Sequence, residues 1–463
     1  MASGTASRPV FGRIALAVLV IIAVLCGGFA AFAHRPSIAP IAPPAASTFS
    51  PELIARGELL SGAGYCSSCH TAQGGKPYAG GYAIRTVFGT IYSSNITPDP
   101  GTGIGTWSEA AFERAMREGV ARDGAHLFPA FPYDHFTKLT DADVQALYAY
   151  FMTREPVVAL PPPNTLPFPL SLRPLQAGWK LLFFEPGRFV ADARRSAEWN
   201  EGAYLAEGIS HCGACHTPRN ALGAEKKGAL YAGADIDGWI APPLTRANPS
   251  PVAWDAAELA AYLRSGVSGL HGTAVGPMSP VVHDGLIKLP DSDIGAIAAY
   301  FADVGQAAAK VPATQAAADV GQAAAKVPAT QAAAVPRALG REQIDRSRMR
   351  TFDAPARLYV TACASCHYNR DTVNPLRPDL ALVSAVSLRE PTNLIRVVLG
   401  GVSAEEGAPG VVMPAFGSGF SNADIAMLAA YLRATRTDLP PWPNLDKTVA
   451  ALRRPDSPPK PSP

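Results

Sequence analysis

The longest apolar run lies near the start of the chain, where every position from Ile14 to Ala33 is apolar, Gly or Cys26. At about 20 residues it is long enough to cross a bilayer as a helix. Arg8 and Arg13 precede it, so the positive-inside tendency leaves residues 1–13 in the cytoplasm and exports the rest of the chain. Ala31-Phe32-Ala33 also fits a small-x-small cleavage site, and a removable signal peptide is the competing reading. The run exceeds the ~7–15 residue core of a signal peptide, which favours an uncleaved anchor over 14–33. Cys26 reads as an inert residue of that helix, because Leu25 before it is larger than the small residue that a lipid-attachment site needs.

After the anchor, apolar positions recur at helical spacing in a pattern that repeats three times. Each copy opens with a helical stretch: Glu52 to Leu60, Glu198 to Glu207, and Pro355 to Thr361. A second helix ends in a Gly-Val pair, at Gly119-Val120, Gly266-Val267 and Gly401-Val402. A closing helix runs from an Asp to an aromatic-containing pair, as Asp143 to Tyr150-Phe151, Asp293 to Tyr300-Phe301, and Asp424 to Tyr431-Leu432. Thr140-x-x-Asp143 and Ser421-x-x-Asp424 predict capping boxes at two of these starts. The pattern predicts an all-α chain with domains over 46–155, 195–303 and 341–436.

The intervening segments read as spacers. Residues 156–194 begin with a Pro-containing tract, and 304–340 hold a duplicated sequence in which Asp303 to Ala318 recurs unchanged as Asp319 to Ala334. That Ala/Gln repeat has too few large apolar residues to pack. The Pro-rich tail over 437–463 is expected to be extended. A length of 463 residues suits about three domains of roughly 100–150 residues each. The net charge is +2 and the basic residues form no long run, so composition gives no support for a nucleic-acid partner.

Chemistry enters through the cysteines. Cys-x-x-Cys-His occurs three times, as Cys66 to His70, Cys212 to His216, and Cys363 to His367, and these use six of the seven cysteines. This is the attachment signature of c-type haem: Cys66, Cys69, Cys212, Cys215, Cys363 and Cys366 form thioethers, and His70, His216 and His367 become proximal iron ligands. A zinc or redox Cys-x-x-Cys would explain one such motif but not three with no thiol to spare. Three covalently attached haems c are expected.

A carrier haem usually has a second ligand, most often a Met thioether that raises the potential. Met278 and Met413 stand between the second and closing helices of their copies, where that ligand is needed, although a Met there could also simply fill the core. The first copy has Phe131-Pro132 where the third has Met413-Pro414, and Phe cannot bind iron. His135, in the same loop, is the preferred sixth ligand. An open iron is the next reading, with Met116, Met152 and His126 behind it.

The strings Phe88-Gly89-Thr90-Ile91-Tyr92-Ser93-Ser94-Asn95-Ile96-Thr97-Pro98-Asp99, Gly101-Thr102-Gly103-Ile104-Gly105 and His211-Cys212-Gly213-Ala214-Cys215-His216-Thr217-Pro218-Arg219 resemble the multihaem cytochrome c subunits of bacterial membrane-bound dehydrogenases, best known from acetic acid bacteria. The resemblance runs from the anchor to Leu432. It implies three tandem class I-like cytochrome c domains, periplasmic on an inner-membrane anchor, that relay electrons from a catalytic subunit to ubiquinone. The Phe-Pro-Tyr-Asp-His loop looks more like partners of molybdopterin-dependent aldehyde dehydrogenases than of alcohol dehydrogenases. PQQ- or FAD-dependent partners and a small additional subunit are also within the family pattern. The chain then has no substrate chemistry of its own. Competing readings are a haem enzyme with an open first iron acting on a small molecule, and a cytochrome subunit of a terminal oxidase.

Overall fold

A computed structural model describes residues 8–305, 353–367, 374, 376–403 and 412–454. The duplicated Ala/Gln tract from residue 306 onward therefore lies outside the described residues. The N-terminal helix α1 (Arg8–Ala33) is apolar from Ile14 onward, and its side chains are exposed from residue 12 to residue 28.

The repeated pattern forms repeated helices. The opening helices are α2 (Pro51–Ala63), followed by the short motif helix α3 (Cys66–Cys69) and by α4 (Glu109–Glu118), α5 (Tyr133–Phe136) and the closing helix α6 (Asp141–Met152). After α7 (Leu175–Phe183) the second copy contains α8 (Ala197–Glu207), motif helix α9 (Gly213–His216), α10 (Ala256–Ser265), α11 (Met278–Pro280) and α12 (Asp291–Val304). The third contains α13 (Ala354–Ala362), motif helix α14 (Ala364–His367), α15 (Ser384–Ser387), α16 (Thr392–Gly400), α17 (Asn422–Arg436) and α18 (Leu445–Leu452). Ser108 caps α4 by accepting from the Ala111 amide, and Asp255 caps α10 by accepting from Glu258. The Gly-Val pairs end their helices because Gly119, Gly266 and Gly401 take left-handed φ values of 61°, 73° and 72°.

Opening and closing helices cross in contact. A Cβ on Gly57 of α2 would lie 2.0 Å from the Ala146 carbonyl oxygen of α6, and one on Gly202 of α8 would lie 1.9 Å from that of Ala296 in α12. Only glycine permits this approach. One hydrophobic core runs through both the first and second copies, including Leu60, Leu139, Leu147, Leu205, Ile209 and Ile297. A separate core around Tyr359, Ile395, Leu428 and Leu432 belongs to the third.

Four expectations change. The chain is mostly helical but not all-α: two-stranded antiparallel hairpins form at β1–β2 (Ala83–Thr86, Gly89–Tyr92), β3–β4 (Ala234–Ile236, Trp239–Ala241) and β5–β6 (Val267–Ser268, Gly272–Thr273). These strands are too short to show a period, although Asp237-Gly238, with φ of 49° and 71°, is a hairpin turn signal. Ser421 and Asp424 form the full capping box, but at Thr140 only half forms: its hydroxyl accepts from the Asp143 amide, while the Asp143 carboxylate pairs with Arg56 at 2.9 Å and accepts from the Tyr204 hydroxyl of the second copy. The 156–194 segment contains a helix, α7, and is pinned to the first copy where Asn95 donates to the Val157 carbonyl at 2.7 Å. The start of the tail is packed: Trp442, Leu445, Val449 and Leu452 form an apolar stripe on the third core, and the Trp442 indole donates to the Leu388 carbonyl at 3.1 Å.

Candidate haem centres

All three motif histidines are held alike. The Nδ1 of His70 lies 2.7 Å from the Ser94 carbonyl, that of His216 2.7 Å from Pro242, and that of His367 2.8 Å from Pro378. A carbonyl only accepts, so each Nδ1 carries the proton and each Nε2 presents a lone pair. Burial lowers all three pKa values, opposed in each case by that hydrogen bond, which favours the neutral ring that binds metal. The loop strings supply this support. Ser94 follows the β1–β2 hairpin, and the turn beyond it is fixed by the Asp99 carboxylate, which accepts from the Thr102 amide at 2.6 Å and hydroxyl at 2.7 Å. In the second copy, Arg219 clamps the motif by donating to the Ala214 and Gly223 carbonyls, both at 2.8 Å.

Four of the motif thiols are poorly suited to a redox or thiolate-metal pair. Burial pushes Cys66 up to about 11, Cys69 and Cys212 up to about 12, and Cys363 up to about 11. Redox Cys-x-x-Cys pairs work through lowered values.

The second and third motifs open into one cavity of about 1090 Å³, lined by Cys212, Cys215, His216 and Met278 and by Cys363, Cys366, His367 and Met413. Single small-molecule sites occupy roughly 300–1,000 Å³. A cavity above that range, walled by two motifs and two Met residues, suits two macrocycles. The lining also fits haem through His271, which is 4% exposed, stacks on Trp254 with centroids 3.6 Å apart, and meets the Ser250 hydroxyl through Nδ1 at 2.8 Å. Its Nε2 has no partner among the described residues. With the Ser250 hydroxyl donating to Nδ1, the buried Nε2 carries the proton and needs an acceptor, which a haem propionate would supply. Nothing in the sequence singles out His271; its loop position before Met278 is a signal legible only with the cavity in view.

The first copy differs. His135 is buried with both ring nitrogens engaged, Nδ1 at 2.8 Å from the Glu207 carbonyl and Nε2 at 2.8 Å from Glu225 Oε1, and its ring faces His211 and Gly213 of the second motif. An iron bond from His135 would require one of these contacts to open. His126 is likewise engaged, through Nε2 with the Ala33 carbonyl at 2.8 Å and Nδ1 with Lys180 Nζ at 3.1 Å. Met116 and Met152 are buried in the shared core, and the Phe131 ring packs on Phe136.

A motif that fixes a neutral His beside two thiols, within crossed helices, defines a c-type cytochrome. Residues 54–155 match the family described as cytochrome c, and 350–432 match that of cytochrome c oxidase, cbb3-type, subunit III. The chain is 38% identical to the fructose dehydrogenase cytochrome subunit of Gluconobacter japonicus, over 82% of this chain and 77% of that one. It is 36% identical to the gluconate 2-dehydrogenase cytochrome c subunit of Pantoea cypripedii, over 87% and 90% respectively. The chain belongs to the family of multihaem cytochrome c subunits of dehydrogenase complexes. It is also 43% identical to a nicotinate dehydrogenase subunit of Pseudomonas putida, over 90% of its own length but only a third (33%) of that relative.

Proposed function

We propose that this subunit carries three covalent haems c and relays electrons from a periplasmic catalytic subunit to ubiquinone in the inner membrane. The observation that carries the proposal is the threefold repetition of a motif His bonded through Nδ1 to a backbone carbonyl at 2.7–2.8 Å. Met278 and Met413 are the sixth ligands of the second and third haems, and the cavity that both motifs line supports a reading in which these two haems are neighbours in the relay. The haem supplies the electron exchange; the chain orients its iron ligands and excludes water. The likeness to a nicotinate dehydrogenase subunit favours a molybdopterin-dependent partner; the Phe-Pro-Tyr-Asp-His loop supports an aldehyde as its substrate, with an alcohol as the next choice. PQQ- or FAD-dependent partners remain compatible with the fructose and gluconate dehydrogenase relatives.

The test is purification of the membrane complex in mild detergent. A pyridine haemochrome assay should give three haems per chain, and the substrate of the co-purifying dehydrogenase should reduce them and, through them, a soluble ubiquinone analogue. Two haems, or haems that stay oxidised while the catalytic subunit turns over, would overturn the reading. A second reading, an open first iron, gains support from the engagement of both nitrogens in His126 and His135. Carbon monoxide binding to the reduced protein separates the two. Co-purification with a terminal oxidase would favour the oxidase reading, to which only residues 350–432 lend a family match.

A further inference from the structure

Helix α7 has two faces of opposite character. Leu175, Gly178, Leu181 and Leu182 lie on one side, and Leu181 and Leu182 are 72% and 67% exposed. The segment leading into it adds Phe168, 80% exposed, with Leu170 and Leu172. So much exposed apolar surface in one short stretch marks a contact site.

The opposite face is tied to the first cytochrome copy. Lys180, the only charged residue of α7, turns inward and donates to the Gly119 carbonyl at 2.8 Å and to that of Glu118, with its ammonium 4.8 Å from the centre of the Tyr133 ring. Trp179 donates to the Leu222 carbonyl at 2.9 Å. An amphipathic helix that hides its one charge and exposes its leucines is built for an apolar surround on its outer side.

The position of α7 identifies that surround. Its exposed face meets the end of the anchor: a Cβ on Gly178 would lie 3.5 Å from the Phe29 ring. The anchor end is itself fixed, since the Ala33 carbonyl meets His126, His126 meets Lys180, and beyond it Ile38 donates to the Arg122 carbonyl at 2.8 Å. The apolar face is thus continuous with the exit of the membrane-spanning helix. We propose that α7 and the Phe168–Leu172 approach form a second membrane contact, lying in the outer-leaflet interface and holding the first cytochrome copy against the bilayer. The occupant is lipid, because the patch joins the anchor at the depth where headgroups meet acyl chains, where interfacial helices bury their apolar face by ~5–10 Å.

The test uses the full-length, haem-loaded protein in lipid nanodiscs, with Cys26→Ser to remove the one thiol outside the motifs. Leu182→Cys and, separately, Phe168→Cys should react with a sulfonated, membrane-impermeant maleimide about tenfold or more slowly than Ala142→Cys at the exposed start of α6, as interfacial burial requires. In the unsubstituted protein, a lipid carrying a diazirine on its acyl chain should cross-link to the peptide containing residues 168–183. Reactivity at both cysteines equal to that of Ala142→Cys, with no lipid adduct, would overturn the proposal while leaving the anchor and the electron relay intact. Cross-links to a co-purified subunit in place of lipid would overturn it in favour of a protein docking face. Failure of the chain to enter nanodiscs would overturn the anchor and this contact together.

Discussion

Tyr65 and His211, each the residue immediately before the first cysteine of its motif, pack ring against ring with centroids 4.8 Å apart. Both hold left-handed φ values, 36° and 32°, and Gly64 beside Tyr65 would place a Cβ 3.2 Å from Ile209. The first and second attachment motifs therefore abut, and Tyr65 also lines the cavity of the second and third. The second motif is central to the set.

That pair should be energetically coupled. A double-mutant cycle with Tyr65→Leu and His211→Leu should return about 0.5–1.5 kcal/mol of coupling beyond the packing lost by each change, the range of aromatic pairs. Denaturant midpoints of the haem-loaded protein measure it, and additive effects would show that the rings merely adjoin.

The crossing glycines allow a second test. Gly202→Ala should destabilise by overpacking, by at least the ~1–3 kcal/mol of ordinary core insertions, because its methyl would overlap the Ala296 carbonyl. The third copy holds a fully buried Ala356 three residues before Tyr359, as Gly57 stands three before Leu60, so its crossing already accommodates a methyl. Ala356→Gly should cost only about 0.5–1 kcal/mol, through helix propensity. Thermal melts followed by the Soret band compare the two, and equal losses would contradict the distinction.

Substitutions in the shared cavity should change potentials while haem stays attached. Met278→His should lower the midpoint of one haem and remove one near-infrared thioether-to-iron band, because a second imidazole replaces the sulfur that favours ferrous iron. His271→Leu should also lower one midpoint, since the propionate loses a donor and its charge favours ferric iron. Spectroelectrochemical titration with haem stain on denaturing gels checks both. Potentials unchanged in His271→Leu would place the propionates elsewhere.

His135 and Glu225 predict a pH window. Burial opposes a charge on His135, but the Glu225 carboxylate more than compensates and raises its pKa; burial likewise opposes a charge on Glu225, and His135 overcomes it and lowers that pKa. A raised His stabilises fully below its unfolded value of about 6.5 and loses that contribution as pH climbs through the folded value; a lowered Glu stabilises above about 4.5 and loses it as pH falls through its folded value. The contact between the first two copies should be strongest between these limits and weaken above neutrality. The melting difference between wild type and His135→Gln, measured from pH 5 to 9, should shrink as pH rises. His135→Gln should also leave the spin state of every haem unchanged; conversion of one from low-spin to high-spin would show that His135 turns to the first iron.

The sequence by itself determined what local chemistry specifies. The attachment motifs announce their role by spacing alone, the Gly-Val pairs stop their helices through a backbone conformation that glycine adopts freely, and Ser421 finds its amide three residues away in the same turn. The N-terminal apolar helix is legible for the same reason, since its apolarity is continuous. Tertiary structure decided everything that depends on a distant partner. The partners of His135 stand 72 and 90 residues along the chain, the Asp143 carboxylate is drawn from its capping box by Arg56 and Tyr204, and Trp442 turns the start of a Pro-rich tail into a packed helix. Nor could spacing reveal that two motifs share one cavity, or that α7 packs against the end of the N-terminal helix through Gly178. A local signal needs only a few neighbouring residues to form. The meeting of remote side chains depends on how whole helices cross, which here turns on contacts as small as the missing Cβ atoms of Gly57 and Gly202.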